Sequence, residues 1–313
     1  MRHAILGAGG VGLALGAALA RAGHAVTLVM REESLSRYDG TIAVRSPLRG
    51  DHRAGARAVD RLDDPVDTLW VTVKAPALTA ALDRVGPGAA PDAVVPLLNG
   101  LDHPPVLRAR FGDRVLVGAI RVEAERTAPG RVTWNSLFAE VALAPEDDPR
   151  HRPLADALTD AGIGCVPRRD PAAVLWEKLV LLLPLALATT AADGPLGVVR
   201  RDAARTALLR DAARETCAVA AADGAPVDVP RLLRTLDSLP GRTDTSLHRD
   251  VAAGVRPTEL AALTDPVLRR AHDHRVPVPA LTALTRAAAD RARDRPPAPT
   301  APHASTATKG ETS

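Results

Sequence analysis

Ala4-Ile5-Leu6-Gly7-Ala8-Gly9-Gly10-Val11-Gly12, continued by Leu13 to Ala22 and then by Ala25-Val26-Thr27-Leu28-Val29-Met30, is the stretch that decides the fold. A short apolar run, a glycine-rich turn, a helix-forming segment and a second β-like run make strand, turn, helix, strand. That is the opening βαβ half of a dinucleotide-binding domain. Gly7 permits the tight turn, Gly9 lets the backbone approach a pyrophosphate, and Gly12 lets the helix sit close on the strand. Gly10 completes the turn at the helix N-terminus, where unpaired N–H groups and a partial positive charge favour an anion.

The residue after this unit bears on which dinucleotide is bound. NAD-selective domains place Asp or Glu at the end of the second strand, on the ribose 2′-hydroxyl. Here Met30 and Arg31 stand there. Arg31 can meet a 2′-phosphate, with Ser34 or Ser36 assisting, so NADPH is the expected cofactor. The other possibility is that Arg31 is a surface residue and Glu32 takes the ribose.

Working outward, Asp67 to Val73 predicts a buried strand ending in Lys74, Pro76 to Val85 a helix, and Ala93 to Leu98 a strand running into Asn99-Gly100. Strand C-termini face the ligand crevice in open α/β sheets, which puts Lys74 and Asn99 at one end. Arg114 to Ala124 and Gly130 to Leu143 read as further strands, Arg152 to Ala161 as a helix, and Gly162 to Pro167 as a last strand. From Pro171 the alternation disappears and helices follow: 172–190, 200–223, 229–239, 247–253, 257–274 and 279–293. The expected architecture is α/β: an N-terminal Rossmann-type domain over 1–169, an all-helical C-terminal domain over 170–295, and a Pro/Ala/Thr/Ser-rich disordered tail over 296–313.

Composition narrows the function. The chain has 313 residues, 46% of them hydrophobic but only 2% aromatic, and a net charge of +3 with no basic run interleaved with aromatics. Nucleic-acid binding is therefore not expected. The apolar run 179–188 is short and contains Pro184, and no signal peptide precedes the first strand, so a soluble cytoplasmic protein without a membrane partner is expected. Cys165 and Cys217 stand alone, and His272 and His274 lack partners at ligand spacing, so no metal is expected. Arg dominates the cations: the only lysines are Lys74, Lys178 and Lys309. A lysine kept in an Arg-rich chain marks a need for a compact ammonium that can release a proton.

Taken together, the chain resembles the ketopantoate reductase family. The matching pieces are the glycine turn, Arg31, Val73-Lys74-Ala75, Leu98-Asn99-Gly100, Pro129-Gly130-Arg131-Val132, Trp176-Glu177-Lys178-Leu179, Thr245 to Asp250 and Gly254 to Leu260, over roughly residues 1–290. The resemblance implies an NADPH-dependent 2-dehydropantoate 2-reductase, monomeric or homodimeric, acting on a small carbonyl substrate. Carried onto this sequence, Lys178 is the general acid, and Lys74 and Asn99 line the cofactor side. Asn99 lies near the reacting carbonyl, Ser246 holds the substrate carboxylate, and Glu259 contacts substrate hydroxyl or ribose across the cleft. Charge building on the carbonyl oxygen suits an ammonium that then gives up its proton.

The sequence departs from the family four and eight residues after Lys178, where Leu182 and Ala186 replace the usual asparagines. That spacing puts both beside Lys178 on one helical face. An aliphatic wall there lowers the lysine pKa and weakens recognition of hydroxyl groups. The expected substrate is then ketopantoate or a related carbonyl that is less hydroxylated or more apolar, whether a 2-oxo acid, a ketone or an imine. A non-catalytic NADP-binding regulator is the alternative from another class. His248 and Glu215 are read as ordinary structural or solvated residues, Trp70 and Trp134 as core, and Trp176 as packing at the domain junction.

Overall fold

A computed structural model describes residues 1–297. Most of the tail expected to be disordered, 298–313, lies outside the described residues. The chain opens with β1 (Arg2–Leu6), α1 (Gly10–Arg21) and β2 (Ala25–Val29), the two strands parallel and in register from Arg2 opposite Ala25. Then come a single-turn helix α2 (Glu32–Leu35) and three strands that the apolar pattern does not reveal: β3 (Thr41–Arg45), β4 (His52–Gly55) and β5 (Arg57–Val59). These strands are short, and each carries one arginine among few apolar residues. The next elements are β6 (Thr68–Val71), α3 (Leu78–Leu82), β7 (Ala93–Pro96) and α4 (His103–Phe111). The result is a parallel five-stranded sheet in the order β5-β2-β1-β6-β7.

The two long strands expected over 114–143 are four: β8 (Val117–Arg121), β9 (Ala124–Ala128), β10 (Arg131–Trp134) and β11 (Glu140–Ala144). The chain breaks at Glu123 and Asn135, where the Asn135 amide donates to the Glu123 carbonyl (2.8 Å) and the Glu123 amide donates to Ser136 Oγ (3.0 Å). This crossing moves the chain between a four-stranded sheet, β4-β3-β10-β9, and a three-stranded one completed by β12 (Gly164–Pro167) after α5 (His151–Asp160). Helix α1 touches both the parallel sheet and the β4-β3-β10-β9 sheet, and its residues Gly12 to Leu19 are all buried. A helix enclosed on two sides has no solvent face to keep polar, hence its uniformly apolar composition.

The helical half comprises α6 (Pro171–Ala192), α7 (Leu196–Arg200), α8 (Ala203–Ala222), α9 (Val229–Ser238), α10 (Ser246–Ala252), α11 (Leu260–Asp273) and α12 (Pro279–Asp294). Asp170 starts α6 by accepting from the Ala172 amide (2.8 Å), with Pro171 at the first helical position. By length and composition alone α6 could cross a membrane, but 67% of that apolar window is buried inside the protein, against α8, α10 and α12. It is the core of the helical half. Glu215 is not simply solvated: its carboxylate accepts from the Ala280 and Leu281 amides (3.0 and 2.8 Å) and caps α12, whose own N-cap residue Val278 has no side-chain acceptor. Trp70 and Trp134 are core residues, 0% and 2% exposed.

Buried histidine gives this fold an acid-sensitive point. His3 is 1% exposed, accepts from Trp70 Nε1 (3.2 Å), and leaves Nε2 without a partner among the described residues. Burial, then the nearby His24 and the N-terminal amine, lower its pKa to about 4. The unfolded chain, titrating near 6.5, therefore takes up the proton first. The stabilisation is complete above about pH 6.5 and is lost as pH falls towards 4, on the order of 2 kcal/mol by pH 5 from this group. Urea denaturation at pH 7 and pH 5 should show that loss, and a His3→Asn variant should show a shallower one; equal slopes would contradict it.

Candidate active site

The crevice lies where β1, β6 and β7 end. On the β1 side, Gly7 has φ +109°, a conformation reserved for glycine, and a Cβ there would lie 2.6 Å from Val73 Cγ1. At Gly12 a Cβ would fall 2.1 Å from the Gly7 carbonyl oxygen, so this glycine sets the closeness of helix and strand. At Gly10 it would fall 2.2 Å from the Ala124 carbonyl, so Gly10 seats α1 against β9. Gly9 differs: a Cβ there meets nothing within 4 Å. It is the N-cap of α1, with no side-chain cap, so the first amides of a buried twelve-residue helix open onto free space. The cradle fits a pyrophosphate.

Arg31 follows β2, is exposed, and has no ion pair among the described residues. It has a cationic neighbour, Arg126, that the sequence does not announce. The guanidinium of Arg126 is held below its ordinary pKa by desolvation and then by the charges of Arg31 and Arg37. Arg126 belongs to β9, two residues beyond the Ala124 carbonyl that touches Gly10. Arg126, with the charges of Arg31 and Arg37 acting on it, gives the margin of the cradle a positive character suited to an anion. Arg126 is hidden in the sequence because β9 merges there with the strand before it.

The other wall carries the lysines. Lys74, three residues beyond β6, is exposed and pairs with Asp250 of α10 at 2.5 Å. Ser246 lies one helical turn before Asp250 and so shares its face of α10; its hydroxyl has no protein partner among the described residues. Glu259, the N-cap residue of α11, is 4% exposed and lies close to the Ala75 amide. Burial raises its pKa and Asp250 adds to the rise, against the opposing pull of Lys74, the Ala75 amide and Lys178. Lys74, Asp250, Glu259 and Lys178 thus form one electrostatic group drawn from the turn after β6, from α10, from the N-cap of α11 and from α6.

Lys178 is partly buried and makes no hydrogen bond or ion pair among the described residues. Desolvation lowers its pKa to about 8; Glu259 opposes the shift and Arg121 adds to it. It lines a small cavity with Leu98, Gly100, Ala119, Leu175, Leu179 and Leu182. Leu182 therefore borders the space beside the ammonium. Ala186 does not line that cavity; it is 1% exposed, inside the helical core. Asn99 is half-buried between two lining residues, with no protein partner for its amide among the described residues. Gly100, at φ +100°, presses on α11, where a Cβ would lie 2.9 Å from the Ala262 carbonyl.

Two further residues belong to the site's frame. Asp102 pairs with Arg269 and, at 3.2 Å, with Arg270; Arg270 reaches Asp223 at 3.1 Å, and Trp176 Nε1 donates to the same carboxylate at 2.8 Å. A polar chain thus links the turn after β7 to the helix of Lys178. His103, the first residue of α4, is 4% exposed, and neither ring nitrogen has a hydrogen-bond partner among the described residues. Sequence reasoning passes over it, although its place four residues after Asn99 was the available signal. His248 lies between Asp244 (2.7 Å) and Asp193 (3.6 Å), a structural tie.

Residues 3–146 match the family described as ketopantoate reductase PanE/ApbA, and residues 171–292 match its C-terminal part. A 2-dehydropantoate 2-reductase of Halobacterium salinarum is 29% identical over 302 residues, covering 91% of this chain and 96% of that protein. Among solved structures, a PanE/ApbA family ketopantoate reductase of Ralstonia eutropha is 26% identical with a TM-score of 0.83, covering 94% of this chain and 99% of its own. D-mandelate dehydrogenase, in a ternary structure with NADH and anilino(oxo)acetate, shares the fold at 20% identity and a TM-score of 0.83, covering 94% and 99%. With both parts of the family matched across the crevice and the helical half, the chain belongs to the ketopantoate reductase PanE/ApbA family and is an NAD(P)-dependent oxidoreductase acting on a carbonyl.

Proposed function

We propose that the chain reduces a 2-oxo acid with NADPH, Lys178 acting as general acid. The observation that carries this reading is the unpaired Lys178 ammonium, whose pKa is brought to about 8 in an apolar wall beside Glu259. An acid with a pKa near the working pH is protonated yet gives up its proton readily. A nicotinamide dinucleotide held by the glycine cradle would supply the hydride. The carbonyl oxygen, as it gains charge, takes the proton from Lys178 Nζ, leaving a neutral amine that regains a proton from solvent before the next turnover. Asn99 offers its free amide on the Rossmann side and Ser246 its free hydroxyl to the substrate carboxylate. Glu259 steadies the ammonium and faces the substrate or ribose. Gly7, Gly9, Gly10 and Gly12 form the pyrophosphate cradle, and Lys74, shared with Asp250, stands at its mouth. Arg31, with Arg37 and Arg126, supports NADPH over NADH.

Leu182 beside Lys178 favours an apolar, branched 2-oxo acid over the hydroxylated 2-dehydropantoate. The mandelate dehydrogenase structure, with its aryl-bearing ligand, is a precedent for such a ligand in this fold. NADPH oxidation followed with ketopantoate, 2-oxoisovalerate and phenylglyoxylate tests both levels. Turnover with the apolar acids at least as efficient as with ketopantoate is expected. A large preference for ketopantoate would refute the apolar substrate. Tight NADPH binding with no turnover of any of them would refute reduction and favour the regulator.

A further inference from the structure

The proposed reaction leaves Arg121, a cation at the crevice, without a task. Arg121 ends β8, which starts alongside β7: Val115 bridges Val94 in parallel, and the Leu116 amide donates to the Val94 carbonyl (3.0 Å). The C-terminal end of β8 therefore opens on the same crevice as the Asn99 turn. Alternation along the strand fixes the side on which the guanidinium leaves. Val117 and Ala119, with Ala144 and Ala142 opposite them on β11, pack into the core built around α6. Ile120, Val141 and Leu143 pack into the core of the N-terminal half. Arg121, opposite Glu140, is the next residue on the α6 face, about 7 Å beyond Ala119. Ala119 itself lines the cavity of Lys178, so Arg121 stands at the rim of that cavity on the lysine's side of the sheet. Its charge adding to the lowered pKa of Lys178 agrees with this placement.

Local bonding does not account for it. Among the described residues its partner is Glu140 at 3.5 Å, with the two side chains 49% and 38% exposed. A contact that long between exposed groups stabilises little, and it leaves most of the five N–H donors free for an incoming group. A 2-oxo acid carries a full negative charge into a place where the other cations are committed. Lys178 serves the carbonyl oxygen, and Lys74 is held by Asp250. Ser246 can donate a hydrogen bond but brings no charge, and an ionised Glu259 would repel a second carboxylate. We propose that Arg121 is a substrate-binding residue, taking the carboxylate of the 2-oxo acid in a two-pronged pair shared with Ser246, and so turning the neighbouring carbonyl towards Lys178. The planar guanidinium fork matches a carboxylate in this way. This rests on Lys178 marking the reacting carbonyl.

The test sets an acid against its own ester: 2-oxoisovalerate and its methyl ester differ in the charge that the guanidinium would read. With NADPH saturating at pH 7, Arg121→Gln should lower kcat/KM for the acid about 10- to 100-fold, chiefly through KM, and change that for the ester less than about threefold. Arg121→Lys, which keeps the charge without the fork, should fall between. NADPH affinity should be the same in all of them, and thermal melts establish that each variant is folded. Glu140→Gln breaks the same surface pair but leaves the guanidinium in place, so its KM for the acid should stay within about twofold of the wild type. Equal losses for acid and ester, or a Glu140→Gln variant as impaired as Arg121→Gln, would overturn the proposal and leave Arg121 as half of a surface ion pair. Weakened NADPH binding with the acid's KM unchanged would overturn it in favour of a cofactor contact. Lys178→Ala measured alongside separates the two readings: if it keeps its turnover, the acid assignment fails, whereas an inactive Lys178→Ala beside an Arg121→Gln variant of wild-type KM removes only Arg121.

Discussion

Lys178→Ala is expected to lower kcat by about 10²–10⁴-fold, the range for loss of a general acid, while NADPH affinity changes less than about twofold. The separation follows from position. Lys178 stands on α6 in the helical half, whereas the glycine cradle and Arg31 belong to the N-terminal half. The wild type should also carry a pH signature. A general acid works only when protonated, so turnover should hold steady below about pH 8 and fall above it as the ammonium loses its proton. Lys178→Arg should rescue poorly: a guanidinium can stabilise the developing charge but does not release a proton at neutral pH. Stopped-flow or steady-state measurement of NADPH oxidation with the best 2-oxo acid decides the matter. Unchanged kcat in Lys178→Ala would remove the assignment.

Arg31→Ala is expected to weaken NADPH binding about 10- to 100-fold and NADH binding less than about twofold, since a charge-assisted hydrogen bond contributes roughly 1.5–3 kcal/mol. The loss is partial because Arg37 and Arg126 remain. It also relieves the repulsion that Arg31 imposes on Arg126. Arg126→Ala should act in the same sense, and the double variant should approach indifference between the two dinucleotides. Fluorescence titration of each reduced dinucleotide measures both constants. An equal loss for NADPH and NADH would mean that Arg31 serves the cradle in general and does not read the 2′-phosphate.

The opening βαβ unit was legible because each of its features is local: apolar runs of strand length, glycines where a Cβ would collide, and an apolar helix. Helices α6 and α8 were legible for the same reason, their Asp-Pro and Asp starts lying beside long apolar or Ala-rich runs. The three short strands β3 to β5 were not, because few apolar residues distinguish them from loop. The break of 114–143 into four strands escaped notice because it depends on pairing between Glu123 and the distant Asn135 and Ser136. At the site, Lys178 stood out by rarity in an Arg-rich chain. Arg126 and His103 did not, since one is an ordinary arginine in a sequence full of them and the other is set apart only by its burial. Ala186 shows the limit of helical spacing: it shares a face with Lys178 yet ends in the core of its own domain.

The crevice is bridged on one flank by Lys74 and Asp250 and on the other by Asp102 with Arg269 and Arg270, with most of these side chains in contact with water. Exposed pairs of this kind contribute only about 0–1 kcal/mol each and weaken as salt rises. Those two bridges therefore act as light latches. The firmer tie between the halves is the apolar core they share, where Leu101, Val117, Ala119 and Ala144 pack in one cluster with α6, so added salt should loosen the flanks of the crevice and leave the junction beneath it intact.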